Sequence, residues 1–204
     1  SSGTGARPEV LVPLGGEHTI SAGVARGLAR VVPKDELVCV QVDAHADLRD
    51  EYEGSPFSHA CAARRILDVC PVFQIGIRNI SAGEEPFRRQ CSRVHTVFAE
   101  QATAADGAFL ADLAAFVRGK QVFFTIDLDG LDPSIMPAVG TPEPGGLSWQ
   151  RMLEVCRTIA REATRVPVFD VVELAPIPGL IAPDFLTAKL IYKILSYILA
   201  SPKS

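Results

Sequence analysis

The sequence predicts an α/β fold: a three-layer α/β/α domain around a mostly parallel sheet. Three observations point there. Short runs rich in β-branched residues alternate with helical patterns along the chain. Most of these runs are apolar at successive positions, as strands covered on both faces are. Polar clusters follow the runs directly, where open parallel sheets build their sites. The candidate strands are Val10–Leu14, Leu37–Val42, Val72–Ile77, Val94–Phe98, Gln121–Ile126 and Val166–Val172. A helix is predicted over Thr19–Val32, with Ile20, Val24, Leu28 and Val31 on one face. A second is predicted over Asp106–Arg118, with Gly119 as its stop. Ser148 suits the N-cap of a third, which carries Met152, Leu153, Cys156 and Ile159. A long final helix over Pro183–Ala200 places Pro183 near its first turn.

The 204 residues suit one domain over 1–204, with 1–9 as a flexible leader that opens Ser1-Ser2-Gly3-Thr4-Gly5. A net charge of -4 argues against a nucleic-acid or anionic-membrane surface. No apolar stretch reads as a membrane span. The five cysteines form no CxxC pair and several sit in apolar runs, which points to free thiols in a reducing, cytoplasmic compartment.

Three strand ends deliver metal-type donors. Val10–Leu14 runs into Gly15-Gly16-Glu17-His18, and Leu37–Val42 into Asp43-Ala44-His45-Ala46-Asp47. Gln121–Ile126 runs into Asp127-Leu128-Asp129-Gly130-Leu131-Asp132-Pro133. Each cluster alone is compatible with a solvated loop, a turn or a helix start. Together they bring His18, Asp43, His45, Asp47, Asp127 and Asp129 to one sheet edge. Four carboxylates there would repel one another without cations, and a pair of divalent ions about 3.5–4 Å apart resolves that. Mixed imidazole and carboxylate donors suit Mn, Fe, Co, Ni or Zn. Three of the four histidines, His18, His45 and His59, lie in or near these motifs; His95 falls on a strand and reads as structural.

These three motifs resemble the signatures of the ureohydrolase family, which includes arginase, agmatinase, guanidinobutyrase and formiminoglutamase. Leu48-Arg49-Asp50-Glu51-Tyr52 and Ser58-His59-Ala60-Cys61 look more like bacterial agmatinases than arginases. Gly140-Thr141-Pro142-Glu143-Pro144-Gly145-Gly146-Leu147 and Asp170-Val171-Val172-Glu173-Leu174-Ala175-Pro176 also match. The resemblance implies two Mn²⁺ per chain. His18, Asp43, Asp47 and Asp127 would hold one, and His45, Asp43, Asp127 and Asp129 the other, with Asp43 and Asp127 bridging. Such ions ionise a water near neutral pH, and Asp47 could orient it. Glu173 would pair with the guanidinium of a small cationic substrate. His59 would move protons, and Thr141 and Arg49 would complete the substrate contacts. The products would be urea and an amine. A homo-oligomer, trimer or hexamer, is also implied.

The chain departs from the family in three places. His18 lies near its start, so the family's N-terminal strands are expected to be missing and an edge of the sheet exposed. Glu17 stands where the family usually has Asp. Arg49 stands where arginases carry an Asn that helps bind a carboxylate. The acidic run Asp50, Glu51 and Glu53 could attract the free amine of agmatine, and Arg49 could instead favour guanidinobutyrate. Agmatine is the first expectation. Hydrolysis of another guanidino or formimino substrate, and a metal-binding chain without catalysis, are the alternatives.

Overall fold

The computed structural model describes residues 9–200, so the expected leader lies outside the described residues except for Glu9. Five strands form one parallel sheet: β1 (Leu37–Val42), β2 (Val72–Ile77), β3 (Val94–Phe98), β4 (Gln121–Asp127) and β5 (Arg165–Val172). They lie in the order β3-β2-β1-β4-β5. Every residue of β1 and β2 is buried, as continuous apolar runs require.

The sixth expected strand, Val10–Leu14, is not a regular strand. It lies parallel to β5 as two isolated bridges, Leu11 with Val168 and Leu14 with Val171. The Leu11 amide donates to the Pro167 carbonyl and the Gly15 amide to Val171. Pro13 falls between them, where the register calls for another donor, and proline has no N–H to give.

Seven helices cover the sheet: α1 (Ile20–Leu28), α2 (Ala62–Leu67), α3 (Glu85–Gln90), α4 (Ala99–Thr103), α5 (Phe109–Val117), α6 (Trp149–Glu162) and α7 (Ile181–Ala200). α1 is shorter than expected. After Leu28 the chain tightens into turns up to Val32, and Pro33 disfavours helical backbone at Val32. α5 begins three residues late because Asp106 closes a side-chain turn onto the Ala108 amide and Gly107 has φ +59°. Gly119, at φ +72°, stops α5 as expected. Ser148 accepts from the Arg151 amide and caps α6. α7 starts two residues before the expected Pro183.

The core has two layers. On one face α5, α6 and α7 press Leu113, Met152 and Leu190 onto Val40, Phe124 and Phe169. On the other, α1 and α2 press Ala25, Leu28 and Ile66 onto Cys39 and Phe123. All five cysteines are free thiols. Among the described residues no helix is long and apolar enough to cross a membrane.

Phe123 is fully buried on β4. Phe123→Ala should lower unfolding free energy by about 3–5 kcal/mol. Ser148→Ala, which removes one cap, should cost only about 1 kcal/mol. Urea midpoints at constant m-value measure both.

Candidate metal centre

The strand order reverses between β1 and β4. β1 leads outward to β2 and β3, while β4 leads the other way to β5. Loops leaving two such strands diverge, and the crevice between them is where α/β sheets bind ligands. Asp43 directly follows β1, and His45 and Asp47 follow it. Asp127 ends β4, and Asp129 sits in the 3₁₀ turn Leu128–Gly130. His18 enters from the loop between the Pro13 segment and α1.

Close backbone approach makes this convergence possible. A Cβ on Gly130 would stand 2.7 Å from Val42 Cγ1 and 2.8 Å from the Asp43 amide nitrogen. Only glycine lets the β1 and β4 loops touch there. Arg78, just past β2, then ties the loops together. Its guanidinium donates to the carbonyls of Gly76 (2.9 Å), Asp129 (2.6 Å) and Glu143 (2.7 Å), with a longer contact to Leu131.

The donors form two groups that share Asp43: His18, Asp43 and Asp127, and Asp43, His45 and Asp129. Within each group one ligand atom from every residue lies within 4.8 Å of the others. His18 Nδ1 is buried and makes no hydrogen bond. Carboxylate oxygens of Asp43, Asp47 and Asp127 nevertheless surround it at 3.2, 3.2 and 3.3 Å. A shared cation fits a buried nitrogen ringed by three oxygens without pairing to any. His45 Nδ1 stands 2.9 Å from Asp129 Oδ2. The six expected donors therefore come together. Asp127 falls in the first group and not the second, so Asp43 alone is common to both.

Electrostatics support the same arrangement. Burial alone would lower His18, but contacts with Asp127, Asp43 and Asp47 raise it well above an ordinary histidine. Burial is likewise outweighed at His45, which Asp129 and Asp43 raise to about 11. Burial and the neighbouring Asp43 charge push Asp47 up to about 8 and raise Asp127 strongly. Burial opposes ionisation of Asp43, yet His18 and His45 hold it well below the carboxylate range.

A buried polar row runs beneath the cluster. Thr96, Gln74, Gln41, Thr125 and Asp170 occupy one register position across all five strands. Thr96 donates to Gln74, Gln74 to Gln41, and Gln41 to Asp43 Oδ2. The sequence reading missed this row. Its signal was polar side chains inside apolar runs, two positions before Asp43 and Asp127.

Glu173, His59, Thr141 and Arg49 line the same cavity, of about 370 Å³, as the cluster. Glu173 Oε1 accepts from the His18 amide at 2.7 Å. Glu173 and Asp47 hold φ of +66° and +53°, backbone states that cost non-glycine residues about 1–3 kcal/mol and concentrate at functional sites. Glu17 Oε1 accepts from both the His59 amide (2.5 Å) and the His59 ring Nδ1 (3.1 Å). Thr141 Oγ1 lies 3.3 Å from Asp129 Oδ2. Arg49 lies 3.9 Å from buried Glu84 and 4.9 Å above the Tyr52 ring. Asn79 and Glu84 also line the cavity. Asn79 follows β2, so the strand-end rule applied to β1 and β4 would have found it. Nothing in the local sequence marked Glu84.

Comparisons with known proteins follow this geometry. The arginase family profile matches residues 3–199. The N(1)-aminopropylagmatine ureohydrolase of Synechocystis sp. is 40% identical over 188 residues, 92% of this chain and 60% of that protein. The agmatinase of Halalkalibacterium halodurans is 34% identical over 168 residues, 81% of this chain and 55% of its own. The crystal structure of agmatine ureohydrolase of Thermoplasma volcanium aligns with TM-score 0.76 and 31% identity, over 92% of this chain and 61% of that one. The chain thus spans about three fifths of the curated relatives' length.

Two outcomes follow. Gly130→Ala should weaken metal binding and destabilise the fold together, read by metal content and urea midpoint on the same sample. Metal binding should displace protons, because His45 and Asp47 are raised to about 11 and about 8. Affinity should therefore rise from about pH 7 toward about pH 11, and the calorimetric enthalpy should vary with the buffer's ionisation enthalpy. A pH-independent affinity would contradict that competition.

Proposed function

This chain belongs to the arginase family, and from that premise we propose that it is a binuclear manganese hydrolase of guanidino compounds, acting on agmatine to give putrescine and urea. The observation that carries the reading is one cavity that joins two imidazole–carboxylate groups, sharing Asp43, to Glu173 and His59. His18, Asp43, Asp47 and Asp127 would hold one ion, and His45, Asp43 and Asp129 the other. When bound, the ions supply Lewis acidity and a water ionised near neutral pH.

The chain's own residues do the rest. Glu173 uses Oε1 on the His18 amide, so its other oxygen faces the guanidinium, a planar cation suited to carboxylates. Glu17 takes the Nδ1 side of His59, which leaves Nε2 to carry the proton that the departing amine needs. Asp47 orients the attacking water, and Thr141, beside Asp129, marks the mouth.

The wall favours a cationic tail. Glu17, Glu84 and Glu173 line it, and Arg49, its one arginine, is engaged by Glu84 and Tyr52. Three glutamates outnumber the single arginine on that wall, which suits a cationic tail better than a carboxylate one. N(1)-aminopropylagmatine is the second reading; it too has a cationic tail, and a relative 40% identical bears that name. The free cysteines suit a cytoplasmic enzyme. Exposed Ile181, Phe185 and Tyr192 on α7 suit a homo-oligomer, a trimer or hexamer. We read the chain as one arginase-like domain.

The test is urea release from agmatine, N(1)-aminopropylagmatine, arginine and guanidinobutyrate by the Mn²⁺-loaded protein, with metal counted on the same sample. Turnover of the first two alone is expected; equal turnover of guanidinobutyrate would overturn the cationic-tail reading. Asp127→Ala should abolish metal binding and hydrolysis together, and retention of both would sink the metal assignment. Glu173→Gln should cost about 2–5 kcal/mol of transition-state binding, measured from kcat/KM.

A further inference from the structure

The β5 half of the polar row has a direction. His18 Nε2 lies 3.0 Å from Thr125 Oγ1, which lies 3.3 Å from Ser21 Oγ, which lies 2.7 Å from Asp170 Oδ2. All four side chains are buried. Each hydroxyl has one proton to give. A carboxylate oxygen at the end takes the Ser21 proton, so Ser21 Oγ must accept from Thr125. The Thr125 proton is then committed, and its oxygen can only accept from His18 Nε2–H. The opposite nitrogen, Nδ1, is the one ringed by Asp43, Asp47 and Asp127.

We infer that Asp170, three contacts away from His18, fixes the His18 proton on Nε2 and so turns the Nδ1 lone pair toward the carboxylates, making Asp170, Ser21 and Thr125 positioning residues for a metal ligand. The inference rests on the proposed role of His18 as a ligand. It adds that proton direction, and not only ring placement, is set from β5. Asp170 Oδ1 has no hydrogen-bond partner, which makes the end residue's identity decisive. An asparagine there must either bury an unpaired NH₂ where Oδ1 stands or turn it onto Ser21 Oγ. The second choice reverses the chain: Ser21 gives its proton to Thr125, Thr125 gives its own to Nε2, and the His18 proton is left on Nδ1. Ser21→Ala has a related effect, because it frees the Thr125 proton for Nε2.

The test uses Zn²⁺ as a diamagnetic probe on the ¹⁵N-labelled protein, with affinities from chelator competition. Ser21→Ala, Asp170→Asn and Thr125→Val should each weaken one of two bound ions by about 10–100-fold, the usual effect of losing a ligand's supporting partner. Thr125→Ser, which keeps the hydroxyl, should restore it. The second ion should stay, since His45 and Asp129 are untouched. In the parent protein His18 should show an exchange-protected Nε2–H signal, and in Ser21→Ala that protection should be lost. Unchanged affinity and an unchanged ring signal in Ser21→Ala and Asp170→Asn would overturn the inference. So would equal loss of both ions, which marks a merely structural row. His18→Ala separates the two readings. If it keeps both ions, His18 is not a ligand and the parent reading fails. If it loses one while the other variants bind normally, only the relay fails.

Discussion

The structure depends on four buried aspartates, Asp43, Asp47, Asp127 and Asp129, crowded against two imidazoles. Buried carboxylates at such distances cannot all ionise unless positive charge stands among them. Burial and the Asp43 charge raise Asp47 and Asp127, while the two imidazoles depress Asp43. The surrounding architecture answers the same demand. Gln41 donates to Asp43, backbone amides of Ala44 and His45 reach Asp129 and Asp43, and Asp127 receives the Asp129 amide. A cluster that repels itself is thus held by the sheet, the row beneath it and the loops beside it.

The fold provides the place as well as the holding. Reversal of strand order between β1 and β4 opens the crevice, and Gly130 lets the two loops meet at its floor. Two of the three described non-glycine residues with positive φ line the cavity, Asp47 and Glu173, and Glu173 is tied back by its amide to the Gly16 carbonyl. Stabilisation from the two apolar layers offsets strain concentrated where side chains must face inward.

Much of this was legible in the sequence because its signals are local. Leu37–Val42, Val72–Ile77 and Val94–Phe98 read as strands from short, mostly apolar runs, and the structure keeps those bounds. The Asp-x-His-x-Asp and Asp-x-Asp spacings placed their donors at two adjoining strand ends without knowledge of strand order. Other features depend on contacts far apart in sequence. Val10–Leu14 read as a strand, and only the register against β5 reveals that Pro13 meets a carbonyl without a donor. Arg49 read as a substrate contact, and its approach to Glu84, 35 positions on, left no local sign. Glu17 read only as a departure from the family's Asp, and its grip on His59 spans 42 positions. The polar row was visible residue by residue, but its continuity exists only once five strands are aligned.

Arg78 has a wider consequence. It gathers carbonyl oxygens of Asp129, Leu131 and Glu143, and backbone carbonyls are the same whatever side chains those positions carry. The loop that ends the floor and the loop that forms the rim are therefore joined in a way that sequence drift at Leu131 or Glu143 does not sever. Side chains on the rim can be exchanged over evolutionary time while the floor keeps its shape. One scaffold can in this way be retuned toward different tails on a common head group without rebuilding its chemistry.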